Sequence, residues 1–191
     1  MGFTDRFREA AEAARARLAD QGVIEDADAI HGIPPVDPQP HDLAVARRAR
    51  SLGAPDPYSL ITHDEVVALT GIPVGGPSLT YADDDIGVRF DAQDGHRRTW
   101  SFGVHAGYAV DERTRFDPMS WYEWMVELID DPEPVPGLGD AAVYGRGLLY
   151  VCCGERAFYV LIDAPDGSPA KLWATALARR VLERLSTGEA G

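Results

Sequence analysis

The stretch DPEPVPGLGDAAVYGRGLLYVCCG, residues 131–154, decides the fold. It holds a Gly-x-Gly-Asp, an arginine between two glycines and two adjacent cysteines, so a phosphate cradle, a metal or redox site and a plain hairpin compete for it. A dinucleotide fingerprint would put a third glycine at 142, where Ala142 stands, and would follow a strand and open a helix. Here a proline-rich helix exit comes before it and strand-like sequence after it. Gly137 and Gly139 therefore read as a tight turn, with Asp140 accepting backbone N–H groups at its bend. Gly145-Arg146-Gly147 reads as a hairpin turn between strands at 141–145 and 148–153, and a third strand follows at 157–163. Cys152 and Cys153 are neighbours in a strand and point to opposite faces, so they do not converge on one metal. One is expected in the core and the other on the opposite face. The stretch is structural.

Working upstream, DPMSWYEWMVELIDDP (117–132) has the period of a helix, with Trp121, Trp124, Met125 and Leu128 on one face. Ser120 with Glu123 predicts a capping box, and Pro132 ends the helix. Before it, Ile86, Val88 and Phe90 alternate with Gly87, Arg89 and Asp91, and Trp100, Phe102 and Val104 alternate with Thr99, Ser101 and Gly103. Asp94-Gly95 signals a turn between these two strands. Each strand has one apolar and one polar face, as in an antiparallel sheet covered on one side. Thr62 and Glu65 predict a capping box at another helix, with Ile61 and Val66 placed as its staple and Gly71 as its stop. Downstream, Ser168-Pro169 opens a last helix running to about Ser186, with Trp173, Leu177, Val181 and Leu185 inward. Residues 57–186 thus predict one α+β domain, an antiparallel sheet with helices packed against it, and 187–191 a disordered tail.

Residues 1–22 predict an amphipathic helix whose thin stripe is Phe3, Phe7, Ala10, Ala14 and Leu18, stopped by Gly22. Such a helix needs a partner surface, either on its own domain or on another molecule. Phe3, Phe7 and Leu18 are its candidate partner-binding residues. A Pro-rich linker spans 23–56, with four prolines in HGIPPVDPQPHD (31–42) and a short basic helix at 42–53, capped by Asp42 and carrying Arg47, Arg48 and Arg50.

The 191 residues carry a net charge of −13, of which residues 57–191 contribute −10. A surface this acidic repels phosphate backbones, which disfavours nucleic acid. Charges of both signs on the first helix weaken the case for peripheral contact with an anionic membrane. No apolar run reaches the ~18 residues of a membrane span, and the N-terminus lacks a secretory h-region. Two adjacent cysteines give no disulfide framework, so a cytoplasmic location is the expectation.

PVPGLGDAA (134–142) followed by LLYVCCGERAFYVLI (148–162), together with LITHDEVVALTGIPV (60–74), resembles a family of small actinobacterial domains, many of them lipoproteins, related to the PsbP-like fold. The resemblance covers about 58–186. It implies a PsbP-like sandwich and an accessory or binding role, with no shared catalytic residues to carry over. This chain departs from it in lacking the lipoprotein signal and in having the N-terminal helix and linker.

No pair among the five histidines has His-x-x-x-His spacing. Asp83-Asp84-Asp85 offers hard oxygens for a cation but lacks the spaced ligands of a calcium loop, and reads as a solvated turn. His105 shares the polar parity of Thr99 and Ser101 and reads as a solvent-facing strand residue. No catalytic residue, metal site or cofactor is assigned. The leading expectation is a non-enzymatic accessory protein that binds another protein through the N-terminal helix and the α+β domain. One alternative binds a small apolar or lipid-like ligand in a cavity lined by Trp100, Phe102, Trp121, Trp124 and Trp173. The other is a hydrolase, whose sign would be His105 or His63 gathered with carboxylates or Ser101 in a cleft.

Overall fold

The alternating strands assemble into a single antiparallel sheet of seven strands in the order β1-β2-β3-β7-β6-β5-β4. The computed structural model describes residues 40–82, 84–93, 100–109, 111–113 and 115–187. The predicted helix over 1–22 with Phe3, Phe7 and Leu18, the linker up to Gln39, the Asp94-Gly95 turn and residues 188–191 lie outside the described residues. The strands are β1 (Ser78–Tyr81), β2 (Asp85–Asp91), β3 (Ser101–Gly107), β4 (Glu133–Pro134), β5 (Ala141–Gly145), β6 (Leu148–Cys153) and β7 (Arg156–Asp163). Two meanders, β1-β2-β3 and β5-β6-β7, meet where β3 pairs with β7.

The helices are α1 (Pro40–Ser51), α2 (Pro57–Leu60), α3 (His63–Thr70), α4 (Pro118–Glu127) and α5 (Ala170–Thr187). The capping box on α3 forms as its sequence demands: Thr62 accepts from the Glu65 N–H, Glu65 reaches back to Thr62, and Gly71 closes the helix in the left-handed region. Helix α1 starts two residues before the predicted Asp42. The cap of α4 differs from expectation. Asp117 is the N-cap and accepts from the N–H groups of Met119 and Ser120, with Pro118 next in line. Ser120 instead donates its hydroxyl to Asp117 at 2.8 Å. A carboxylate with a proline behind it outcompetes a serine three residues later.

The hairpin in the opening stretch is as the sequence reads. Arg146 (φ 48°) and Gly147 (φ 81°) form a two-residue loop between β5 and β6. Positive φ at both positions matches the right-handed twist of the flanking strands. Asp140 ties the preceding turn to the next hairpin, accepting from the Gly154 N–H at 2.6 Å while its own N–H donates to the Cys152 carbonyl. Arg146 pairs with Asp130 at 2.7 Å on the surface.

The main core lies on the first face of the sheet, where Val88, Phe90, Phe102, Val104, Leu149, Val151, Phe158 and Val160 meet α2, α3 and α5. Trp173, Ala174, Leu177, Ala178 and Val181 of α5 are fully buried there, one stripe at helical spacing. Arg184 of α5 reaches Glu65 of α3 at 2.9 Å. The α1 helix packs Ala49 beside Ile86 and Tyr108 at one end of the sheet.

The second face is covered too, which the one-sided reading missed. Helix α4 lies on β6 and β7, and Trp121 packs among Val143, Tyr150 and Ala157. All seven residues of β3 are buried. A central strand between two helical layers keeps no wet face, even where its sequence alternates.

Candidate functional site

One row of side chains runs across the second face: Thr80, Gly87, His105, Tyr159, Tyr150 and Val143, each paired with the next. Strand alternation puts all of them on the same side. Gly87 is what lets the row connect. A Cβ at that position would lie 2.0 Å from the Val104 carbonyl oxygen and 2.6 Å from His105 Cγ. With only hydrogen there, the imidazole lies across β2 and its Nε2 reaches Thr80 Oγ1 at 2.9 Å. Its Nδ1 is 2.8 Å from Asp85 Oδ1. A carboxylate only accepts, so Nδ1 carries a proton; where Nε2 carries none it accepts from the Thr80 hydroxyl. Tyr159 stacks on the imidazole at 4.6 Å and 12°.

This corrects two sequence expectations. His105 is 8% exposed and does not face solvent; Asp85 is equally buried and is not a solvated turn residue. Asp84 is engaged as well, accepting from the Trp121 indole N–H at 3.1 Å. Through these bonds β1, β2, β3 and α4 are pinned to one another. Burial and the nearby Asp85 carboxylate push the Tyr150 phenol up to about 12, and burial raises that of Tyr159 further. Both phenols therefore stay neutral at physiological pH.

Chemically, the order carboxylate, imidazole, hydroxyl is that of an activated nucleophile. Ser101, the hydroxyl considered from sequence, is not its partner: it sits four residues along the same strand, about 13 Å away. The other histidine on α3 is structural, its Nε2–H donating to the Val74 carbonyl at 2.9 Å. Among the described residues no group of three metal-ligating side chains converges. Cys152 is buried on the second face and Cys153 half-buried on the first; burial raises both thiols and keeps them protonated.

The five aromatics expected to line one cavity are divided by the sheet. Trp100 and Phe102 pack on Trp173 at centroid distances of 6.3 and 5.9 Å on the first face. Trp121 lies on the second face against Tyr159 and Tyr150. Trp124 points outward, 52% exposed, as does Leu128 at 63%. These two are one turn apart, so they form a ridge along the outer side of α4. Glu123 and Glu127, also exposed, flank it on one side, and α4 contains no basic residue. The sequence assigned Trp124 and Leu128 to the buried face with Trp121, and their positions at the rim of the α4 stripe gave no signal to the contrary.

No helix among the described residues is long and apolar enough to cross a membrane. Set against protein-family models, curated proteins and solved structures, the chain matches none of them.

Proposed function

We propose that this protein is a non-enzymatic accessory module that binds another protein through the outer ridge of α4. The observation that carries the reading is the exposure of Trp124 and Leu128, side by side on a helix whose Trp121, Tyr122, Met125 and Val126 turn inward. Large apolar side chains exposed together mark contact surfaces, and tryptophan is enriched among residues that dominate binding energy. Glu123 and Glu127 beside the ridge favour a partner that brings apolar side chains and positive charge. The resemblance of residues 58–186 to PsbP-related actinobacterial domains supports the same role. Asp substitutions at Trp124 and Leu128 test it in the full chain. Affinity purification from the native cell should lose a partner seen with the wild-type chain, while the melting temperature moves by no more than a few degrees. An unchanged set of partners would remove the reading.

A second reading, a hydrolase using Thr80 as nucleophile and His105 as base, is favoured by the Asp85–His105–Thr80 geometry alone. Ester turnover by Thr80→Val beside the wild-type protein discriminates the two.

A further inference from the structure

Helix α4 gathers exposed apolar surface. Met119 (41%), Trp124 and Leu128 are three of the five large apolar side chains exposed among the described residues, and all three stand on α4 or at its C-cap. At about 100° per residue, Trp124 and Leu128 lie about 40° apart around the helix, and Glu123 and Glu127 form a second stripe centred about 100° away. That offset is close to the one between an apolar seam and its charged flank in a pair of packed helices. Asp130 and Glu133, just past α4, are taken by Arg146 and Lys171. Glu123, Glu127 and Asp131 have no ion partner among the described residues.

These charges stand where they destabilise their own helix. A helix C-terminus carries partial negative charge and favours cations, yet α4 has no basic residue in its last turn, and Glu127 and Asp131 stand there instead. Glu123 and Glu127 also repel each other at i,i+4. The same end is seated closely on the sheet: a Cβ at Gly145 would lie 2.2 Å from Ile129 Cγ2. Carboxylates that oppose an anchored helix end, beside an exposed tryptophan, are relieved when a cation docks against them. Other occupants fit worse. Anionic lipid and nucleic acid carry the same sign of charge and are repelled. Two α4 ridges from two copies of this chain would bring carboxylates to both sides of one seam.

We propose that the partner of this ridge is a basic amphipathic helix of another protein, with apolar residues at i,i+4 on Trp124 and Leu128 and with arginine or lysine along the flank that meets Glu123 and Glu127. This rests on α4 being a docking surface and adds the chemistry of what docks there. The facing charges lie at the exposed rim of the contact, so salt weakens the binding.

The probe is a fluorescein-labelled peptide of about 18 residues, or five helical turns, with leucine along one stripe and arginine along its flank, read by anisotropy on the full chain. Wild type should bind it, several-fold more weakly in about 300 mM salt than in about 50 mM. The same peptide with glutamate for every arginine should not bind. Trp124→Asp should weaken binding at least about tenfold, and Glu123→Gln with Glu127→Gln about fivefold. Glu155→Gln with Asp166→Asn removes the same charge from exposed positions elsewhere and should leave binding unchanged. The glutamine pair should also melt about 1–4 °C above wild type, because the two carboxylates oppose the helix end and each other. A glutamine pair that binds the peptide as wild type does, or that melts no higher than wild type, would overturn the basic partner. So would an arginine peptide that the wild-type chain does not bind. A dimer mass in light scattering that Trp124→Asp abolishes would overturn it in favour of a second copy. In each of the first three cases, loss of a cellular partner by the Trp124→Asp chain leaves the α4 surface itself standing.

Discussion

Gly87→Ala is expected to cost more than about 3 kcal/mol in urea unfolding, or to prevent folding altogether. The new methyl would meet the Val104 carbonyl oxygen at 2.0 Å and the His105 ring at 2.6 Å, and neither contact is with the free end of a flexible side chain. Relief requires β2 to part from β3 or the imidazole to swing away from Thr80, abandoning Asp85. His105→Leu tests the same row without backbone strain. It keeps an apolar volume against Tyr159 but leaves the 8%-exposed Asp85 carboxylate with no imidazole, an effect of about 3 kcal/mol. Thr80→Val, which keeps the volume of an edge-strand residue and removes one hydroxyl, should cost about 1 kcal/mol. On the structural reading none of these proteins hydrolyses p-nitrophenyl acetate above the rate of free imidazole. On the hydrolytic reading the wild type does, and Thr80→Val abolishes turnover while remaining folded. A Gly87→Ala protein within about 1 kcal/mol of wild type would mean that His105 does not lie across β2.

Trp173→Ala is expected to destabilise by about 3–5 kcal/mol, because the residue is fully buried between α5 and the sheet and its ring sits against Trp100 and Phe102. Trp173→Phe should cost distinctly less. The indole N–H has no hydrogen-bond partner among the described residues, so losing it removes an unsatisfied donor and offsets part of the cavity. Chemical denaturation of both variants gives the comparison. If Trp173→Phe proves as damaging as Trp173→Ala, the indole nitrogen is bonded in solution and the core is arranged differently around α5.

The α+β class was legible because short-range signals agreed with the period of the apolar residues. Thr62 with Glu65, Ser168-Pro169 before the last helix, and Arg146-Gly147 between two apolar runs each act within a few residues of themselves. The row Thr80–Gly87–His105 was not legible, because it depends on register across a turn. A two-residue loop at Asp94-Gly95 would set Gly87 opposite Phe102, whereas it pairs with His105. The apolar pattern itself argues for the observed parity: Ile86, Val88 and Phe90 can share a face with Phe102 and Val104 only if even-numbered residues pair with even. What parity leaves open is which even pairing is made, and that choice placed Asp85 and Gly87 beside His105. The outward direction of Trp124 was hidden for a different reason. Helix α4 lies mainly on β6 and β7, so its buried arc is narrower than its apolar stripe, and nothing within α4 reveals the width of what it packs on.

The account stands on the outer side of α4 being the surface through which this protein makes contact. A photo-reactive benzophenone side chain installed at position 124 of the full chain in its native cell tests that most directly, with position 155 on the exposed β6–β7 turn as the control. An adduct at 124 to a second protein and none at 155 is the predicted result. Irradiation that leaves position 124 as unreacted as position 155 would contradict it.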